Sequence, residues 1–251
     1  GGGTPTTLAS GQIRPLDIAV DATSVFWTAA YDGAVMKVPV GGGTPTALVS
    51  GQSSVAGIAV DATSVYWTDD YDDTVMKVPL GGGIPTALAS GRGVNGIAVD
   101  ATSVYWTSGD DGTVMKVPLG GGTPTTLASG QSRPGGIVVD ATSVYWTNHD
   151  TLSYGSYDGH HGSVMKVPVG GGPATTLASA QSLPSGIAVD ATSVYWTNHG
   201  SDTVMKVPLG GGTPTALASG QFGAEDIAVN ATSIFWTNYT NGNVMKLSPK
   251  Q

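Results

Sequence analysis

Short hydrophobic stretches alternate with polar or glycine-rich turns along the whole chain. In the second copy of this pattern, the apolar stretch Gly57–Asp61 (GIAVD) is followed by Ser64–Thr68 (SVYWT), which is rich in β-branched and aromatic residues. A polar loop leads to Thr74–Leu80 (TVMKVPL), and a glycine triplet leads to Thr86–Ser90 (TALAS). Short stretches of this composition between turn residues predict β-strands. Each copy therefore predicts four strands, named a to d in chain order.

The pattern repeats about every 40 residues and covers the chain six times. Strand b of each copy carries a tryptophan: Trp27, Trp67, Trp106, Trp146, Trp196 and Trp236. The copies span residues 1–40, 41–80, 81–119, 120–169, 170–209 and 210–251. A repeat of this length, with several short strands and no helical periodicity, is typical of a β-propeller blade. The sequence predicts one all-β domain, a six-bladed β-propeller with four antiparallel strands in each blade.

The copies are offset from the blades that they build. The chain begins with a strand-d sequence, Thr4–Ser10, and ends with a strand-c sequence, Val244–Ser248. The last blade therefore lacks an outer strand, and the N-terminal segment has one to offer. Because a closed ring leaves no unpaired end face, we expect Thr4–Ser10 to complete the last blade.

One copy contains the literal motif YWTD, at Tyr66–Asp69. The other copies read FWTA, YWTS, YWTN, YWTN and FWTN, and strand a reads IAVD with small changes. At these residues the chain resembles the YWTD-type six-bladed β-propellers of lipoprotein-receptor ectodomains and their bacterial relatives. The resemblance covers the full length. It implies extracellular recognition of proteins or glycans, and it implies no shared catalytic residues.

Composition excludes several functions. The formal net charge is −8 with ten Lys and Arg residues, which argues against nucleic acid and anionic membranes as partners. No apolar run approaches the roughly 20 residues that a membrane span requires. The chain has no cysteine, which excludes disulfides, thiolate metal sites and cysteine nucleophiles. Sparse charge with abundant Gly, Thr and Ser favours a secreted or cell-surface bacterial protein.

The acidic residues are unevenly placed. Strand a ends in a repeated aspartate, which predicts an Asx turn, at Asp21, Asp61, Asp100, Asp140 and Asp190. The other 13 of the 18 acids fall in the b–c loops or the d–a loops. Both sets of loops emerge on the same side of a propeller, and they form what we call the loop face. The densest run, Asp69–Asp73 (DDYDD), is interpreted as a solvated loop because it lacks the spacing of an EF-hand.

A lysine recurs in strand c of every copy, at Lys37, Lys77, Lys116, Lys166, Lys206 and Lys246. Such regularity indicates a structural role. We expect each aliphatic stem to pack along its blade and each ammonium group to reach the surface.

The loop face carries the candidate ligand-binding residues. All four histidines lie in copies four and five: His149 and His199 follow WTN at equivalent positions, and His160 and His161 lie in the one insertion, with Tyr154 and Tyr157. Further tyrosines occur in other b–c loops, at Tyr31, Tyr71 and Tyr239. Imidazoles with a carboxylate favour Zn²⁺, whereas imidazoles with tyrosines favour sugar or peptide contacts. Ordinary loop residues are the third interpretation.

A metal site is predicted at the mouth of the central channel. Asp17 and Asp226 stand just before the recurrent isoleucine, where the other copies have glycine, and Glu225 precedes Asp226. The first and last blades become neighbours in a closed ring, so these carboxylates should approach one another. Hard oxygen ligands suit Ca²⁺ or Mg²⁺. Solvated carboxylates are the alternative.

The sequence favours a non-enzymatic extracellular binding module that uses the loop face to recognise a glycan or a peptide. No catalytic residues and no required cofactor are assigned, since the chain has no GxSxG elbow and no cysteine. One alternative is a self-assembling subunit of a surface layer or fibre, which the near-identical copies suggest. The other is a metal-dependent lyase or lactonase-like enzyme.

Overall fold

The computed structural model describes residues 7–149 and 161–250. These residues form 23 strands in six antiparallel sheets, five with four strands and one with three, and they contain no helix. The chain is a six-bladed β-propeller, as predicted. No membrane-spanning helix occurs in the described part of the chain. The chain divides into two compact units, Gly1–Val104 with Val117–Thr123 and Tyr105–Lys116 with Pro124–Gln251.

Each of the first three sheets contains four consecutive strands. The first contains β1 (Pro15–Val20), β2 (Ser24–Ala29), β3 (Ala34–Pro39) and β4 (Thr46–Val49). The second contains β5 (Val55–Val60), β6 (Ser64–Asp69), β7 (Thr74–Pro79) and β8 (Thr86–Ser90). The third contains β9 (Val94–Val99), β10 (Ser103–Ser108), β11 (Thr113–Pro118) and β12 (Thr125–Ala128).

The remaining three sheets follow the same order. The fourth contains β13 (Pro134–Val139), β14 (Ser143–Asn148), β15 (Gly162–Pro168) and β16 (Thr175–Gln181). The fifth contains β17 (Pro184–Val189), β18 (Ser193–Asn198), β19 (Thr203–Pro208) and β20 (Thr215–Ala218). The sixth contains β21 (Ala224–Val229), β22 (Ile234–Asn238) and β23 (Asn243–Leu247).

Blades pack face to face in the first unit. In β6 every residue from Ser64 to Asp69 is buried, because both faces of the strand are covered. Phe26 and Val35 of the first blade share a hydrophobic cluster with Trp67 of the second. One face of each blade therefore packs against the tryptophan-bearing face of the next.

The second unit repeats this packing. Tyr145 and Val164 of the fourth blade cluster with Trp196 of the fifth, and Tyr195 of the fifth clusters with Trp236 of the sixth. The tyrosine side of strand b packs against the following blade, and the tryptophan side packs against the preceding blade. Strand b is therefore hydrophobic on both faces.

A buried threonine links each of the first five blades to the blade that follows it. In the first unit the hydroxyl of Thr68 accepts the N–H of Gly57 at 2.9 Å and donates to the carbonyl of Asn95 at 2.6 Å. The same donor bond to the following blade recurs from Thr28 to Ala56, from Thr107 to Gly135, from Thr147 to Ser185 and from Thr197 to Glu225. The recurrent threonine of the YWT motif is thus an inter-blade bridge.

The strand-c lysines make a second inter-blade bridge. Their ammonium groups donate to backbone carbonyls at the end of strand c in the following blade: Lys37 to Leu80, Lys77 to Leu119, Lys116 to Val169 and Lys166 to Leu209. The structural role is as predicted. The four lysines are half-buried, and each ammonium group is held by a carbonyl of the neighbouring blade; the expectation that these groups reach the surface stays a prediction.

The predicted Asx turns are confirmed. The carboxylate of Asp61 accepts the backbone N–H of Thr63 at 2.6 Å and that of Ser64 at 2.8 Å. Its second oxygen accepts the hydroxyl of Tyr66 at 2.8 Å. Burial, together with this charged partner, raises the pKa of Tyr66 to about 12. The tyrosine of YWT therefore fixes the preceding turn as well as the core.

The predicted outer strand of the last blade is not seen among the described residues. The sixth sheet has three strands, residues 7–10 belong to no strand, and residues 4–6 lie outside the described part. Leu8 and Ala9 instead pack against Trp27 and Val38 of the first blade. Leu8 and Ala9 are held here by side-chain packing, which does not require that their backbone pair with a strand. Closure by strand pairing stays a prediction.

Lys250, the penultimate residue of the sequence, links two blades of the second unit. Its ammonium group contacts a carboxylate oxygen of Asp190 and donates to the carbonyl of Asn230 at 2.6 Å. Burial raises the pKa of Asp190, but hydrogen bonds from Lys250, Thr192 and Tyr195 outweigh this and lower the pKa below its ordinary value.

We expect Lys250→Met to lower the free energy of unfolding by about 1–2 kcal/mol at pH 7. Because the folded-state pKa of Asp190 is depressed, its contribution is present above its unfolded pKa of about 3.9 and is lost as the pH falls through the folded value. Urea denaturation of wild type and variant from pH 7 to pH 2 should therefore give converging curves. Lys246→Met is the control, since exposed Lys246 lies over the ring of Phe235. If Lys250→Met lowered the free energy of unfolding by the same amount at pH 7 and at pH 2, the ion-pair explanation would be contradicted.

Candidate functional site

Within each unit, the b–c loops and the d–a loops lie together, as predicted. In the first unit the N–H of Gln52 donates to the carbonyl of Gly33, and the N–H of Gly91 donates to that of Asp73. In the second unit Gln221 donates to Asp202 in the same way. Each d–a loop is therefore hydrogen-bonded to a neighbouring b–c loop, so the loop face is built on a rigid scaffold.

Three ring-bearing side chains occupy the same position in consecutive blades of the second unit. His149, His199 and Tyr239 each follow the asparagine that ends strand b. Their N–H groups donate to the residue before strand a: His149 to Arg133 (3.2 Å), His199 to Leu183 (3.0 Å) and Tyr239 to Gly223 (2.8 Å). The accepting residues all have left-handed backbones, with φ of 49°, 48° and 68°. The left-handed turn directs each carbonyl toward the adjacent loop. The hydrogen bond that it accepts holds the backbone of the histidine or tyrosine in place.

His149 fits over a glycine. A Cβ atom on Gly135 would lie 2.7 Å from Nε2 of His149, so a larger residue there would displace the imidazole. Burial lowers the pKa of His149, and the nearby positive charge of Arg133 lowers it further. Glu225 and His199 also act electrostatically on this imidazole. His149 is therefore neutral at pH 7 and belongs to the same polar group as Glu225 and His199.

Glu225 is held between two blades. Its Oε1 accepts the hydroxyl of Ser185 at 3.1 Å, and its Oε2 lies 3.9 Å from Nε2 of His199. The side chains of His199 and Glu225 are 44% and 50% exposed. His149, Ser185, His199 and Glu225 come from three consecutive blades of one unit and form what we call the three-blade cluster. It presents a carboxylate, a hydroxyl and two imidazoles to the loop face.

The predicted metal ligands are engaged differently. Asp17 accepts the N–H of its own neighbour Ile18 and, through its second oxygen, that of Ile58 in the next blade, both at 2.8 Å. Asp226 accepts the N–H of Ile227 at 2.8 Å. Desolvation by the surrounding protein raises the pKa of Asp226 and the charge of Glu225 adds to this, while the hydrogen bond from Ile227 opposes it. Asp17 thus acts as an inter-blade hydrogen-bond acceptor.

No group of three His, Asp or Glu side chains that could hold a metal occurs among residues 7–149 and 161–250. Asp17 belongs to one compact unit, whereas Glu225 and Asp226 belong to the other. The calcium or magnesium site at the channel mouth therefore stays a prediction. Within the second unit, the structure groups Glu225 with the histidines.

The remaining candidates are dispersed. Tyr31 stacks on Arg14, whose guanidinium lies 5.0 Å from the ring centre, and Tyr71 is exposed. Tyr154, Tyr157 and His160 lie outside the described residues. His161 is described and exposed. The contribution of the insertion to a ligand site stays a prediction.

The acidic run Asp69–Asp73 is not simply solvated. Asp69 is 1% exposed, and its carboxylate accepts backbone N–H groups of Ser53, Ser54, Tyr71 and Asp72. The interpretation of this residue as part of a solvated loop is wrong, because the carboxylate organises two loops. Asp70 is exposed, as expected.

Sequence reasoning missed Ser185, Arg133 and Gly135. A signal existed at the second position of strand a, which varies from copy to copy: Leu16, Ala56, Asn95, Gly135, Ser185 and Glu225. In the fourth blade this position lies against the residue that follows WTN, since Gly135 lies under His149. The variable second position of strand a and the variable residue after WTN together mark the cluster.

Fold and site together define a six-bladed β-propeller with a polar three-blade cluster on its loop face. A scan against protein-family models gave no match, and a search of curated proteins gave none either. The chain is similar to solved propeller structures at low sequence identity.

One similar structure is a chain of a nidogen/laminin complex (TM-score 0.72, 21% identity, 90% of this chain and 89% of that chain). Another is a catalytically inactive virginiamycin B lyase from Staphylococcus aureus with quinupristin (0.80, 13%, 96% and 84%). A third is the computationally designed Ika8 protein (0.68, 18%, 96% and 73%). At these identities the similarity shows the fold alone.

Proposed function

We propose that the protein is a non-enzymatic binding module that recognises a glycan or a peptide through its loop face. The observation that carries the proposal is the three-blade cluster, in which His149, His199 and Glu225 converge from separate blades. Side chains gathered from several loops on a rigid scaffold are typical of binding sites.

The chemistry of the cluster suits a polar ligand. The carboxylate of Glu225 and the hydroxyl of Ser185 accept hydrogen bonds, and the half-exposed imidazole of His199 offers both a polar edge and a flat face. Tyr239, which is 81% exposed, adds amphipathic surface at the equivalent position of the next blade. Similarity to a chain of a nidogen/laminin complex is consistent with protein recognition.

Glycan and peptide arrays probed with labelled protein test this function. We expect hits whose affinity falls about tenfold or more in His199→Ala, since a buried or shared hydrogen bond in a site contributes about 1–3 kcal/mol. Thr44→Ala, in an exposed turn on the opposite face, should leave binding unchanged. Hits that survive His199→Ala and Glu225→Gln but are lost in Thr44→Ala would move the site to the other face.

An enzyme is the second candidate, and the His199–Glu225 pair favours it. An imidazole near a carboxylate is a common arrangement for general acid–base catalysis. A structure similar in fold is a virginiamycin B lyase. Turnover in a lyase and hydrolase panel that is lost in His199→Ala would replace the binding proposal with this one.

A further inference from the structure

The electrostatics of the second unit favour a cationic ligand. Its described acids on this side are Asp110, Asp111 and Asp202 in the b–c loops, and Glu225 and Asp226 at the start of β21. Arg133 carries the one formal positive charge among the described b–c and d–a loop residues of this unit. Because His149 is neutral at pH 7, it adds no positive charge to offset the carboxylates. An anionic ligand would therefore be repelled at the cluster.

The position of Glu225 leaves one oxygen ready for a donor. Ser185 occupies Oε1, whereas Oε2 stands 3.9 Å from the nearest imidazole nitrogen, which is too far for a hydrogen bond. The side chain is half exposed, so a ligand can reach this oxygen. An ammonium group at Oε2 would form a charge-assisted hydrogen bond, which is stronger than a neutral one.

One ring lies beside this carboxylate, and a second ring belongs to the same blade. His199 lies beside Glu225, and exposed Tyr239 occupies the equivalent position in the blade that carries it. Aromatic faces attract cations by about 0.5–1 kcal/mol at exposed sites. A carboxylate oxygen that is open to a donor, with one ring beside it and another in the same blade, matches a primary ammonium group on an aliphatic chain better than a sugar hydroxyl.

We propose that the three-blade cluster binds a lysine side chain presented by a partner protein, with the ammonium group on Oε2 of Glu225 and the aliphatic stem against His199 and Tyr239. The inference rests on the proposed binding function and specifies its ligand class. The carboxylates of the surrounding loops would speed the approach of a basic segment at low ionic strength.

The test uses a tetralysine peptide with blocked termini and its form acetylated on all four side chains, each titrated into the full chain by calorimetry at fixed salt. We expect the unmodified peptide to bind and the acetylated peptide to bind at least tenfold more weakly. Glu225→Gln should weaken binding about tenfold, as expected for a hydrogen bond to a charged group.

Asp70→Asn is the matched control because it removes the same charge from an exposed residue of a b–c loop in the other unit. It should weaken binding less than twofold. Equal losses in Glu225→Gln and Asp70→Asn, equal binding of the acetylated peptide, or no binding at all would overturn the lysine assignment. If an uncharged glycan or peptide binds instead and loses affinity in His199→Ala, the binding function stands and the lysine assignment falls. If no ligand of any class responds to cluster variants, both fall.

Discussion

Thr197→Val should be among the most destabilising isosteric changes in this chain, lowering the free energy of unfolding by about 2–4 kcal/mol. The hydroxyl of Thr197 is 0% exposed, accepts the N–H of Gly186 at 3.0 Å and donates to the carbonyl of Glu225 at 2.6 Å. Valine keeps the shape but leaves the N–H of Gly186 and the carbonyl of Glu225, which face this buried side chain, without the hydroxyl that pairs them. Each such group costs about 1–3 kcal/mol.

Thr237→Val is the matched control for this prediction. Thr237 occupies the same position in the sixth blade and accepts the N–H of Asp226 at 3.1 Å, but it is exposed. Water can replace its hydroxyl, so we expect a loss of about 1 kcal/mol or less. Urea denaturation of both variants at pH 7 measures the difference. Equal losses would show that the inter-blade bond adds little beyond the bond within the blade.

Gly186→Ala should lower the free energy of unfolding by about 1–3 kcal/mol through steric separation of two blades. A Cβ atom at this position would lie 2.7 Å from both the carbonyl oxygen of Glu225 and the Cα of Asp226. Those atoms are backbone and cannot rotate away. Because the same contact positions Glu225, ligand affinity should fall together with stability.

Gly210→Ala serves as the control, since a Cβ atom there would meet nothing within 4 Å. We expect its melting temperature to stay within about 2 °C of wild type, as for most exposed substitutions. Calorimetric melting of the two variants compares the same chemical change in a tight and an open site. If Gly186→Ala had the melting temperature of wild type, the two blades would move apart at negligible cost in free energy.

The fold was predictable from the sequence because one constraint repeats in every copy. A strand such as Ser64–Asp69, hydrophobic on both faces, has to lie between two sheets. The turn at Asp61 was predictable for a similar reason, since aspartate followed by Ala-Thr-Ser favours an Asx turn. These features depend on neighbours in the chain or on the identical neighbouring copy.

The site was harder to predict because it depends on positions that differ between copies. His149 and His199 could be found, since histidine is rare here. The hydrogen bond between Ser185 and Glu225 could not be predicted, because it depends on how the first residues of strand a in two adjacent blades lie relative to each other. Asp69 was misjudged because a run of aspartates gives no sign that one of them accepts four backbone donors.

The threonine and lysine bridges all point from one blade to its successor in the chain. One of the first four copies could therefore be duplicated without stranding these donors and acceptors, because each of them supplies both the threonine and the lysine that bind the following blade. Loss of a strand-b or strand-c segment would break this matching, whereas the loop insertion of the fourth copy leaves it intact, since Thr147 and Lys166 still bridge to the fifth blade. The polarity of these bonds makes the 40-residue segment, rather than the single strand, the natural unit by which such a chain can grow.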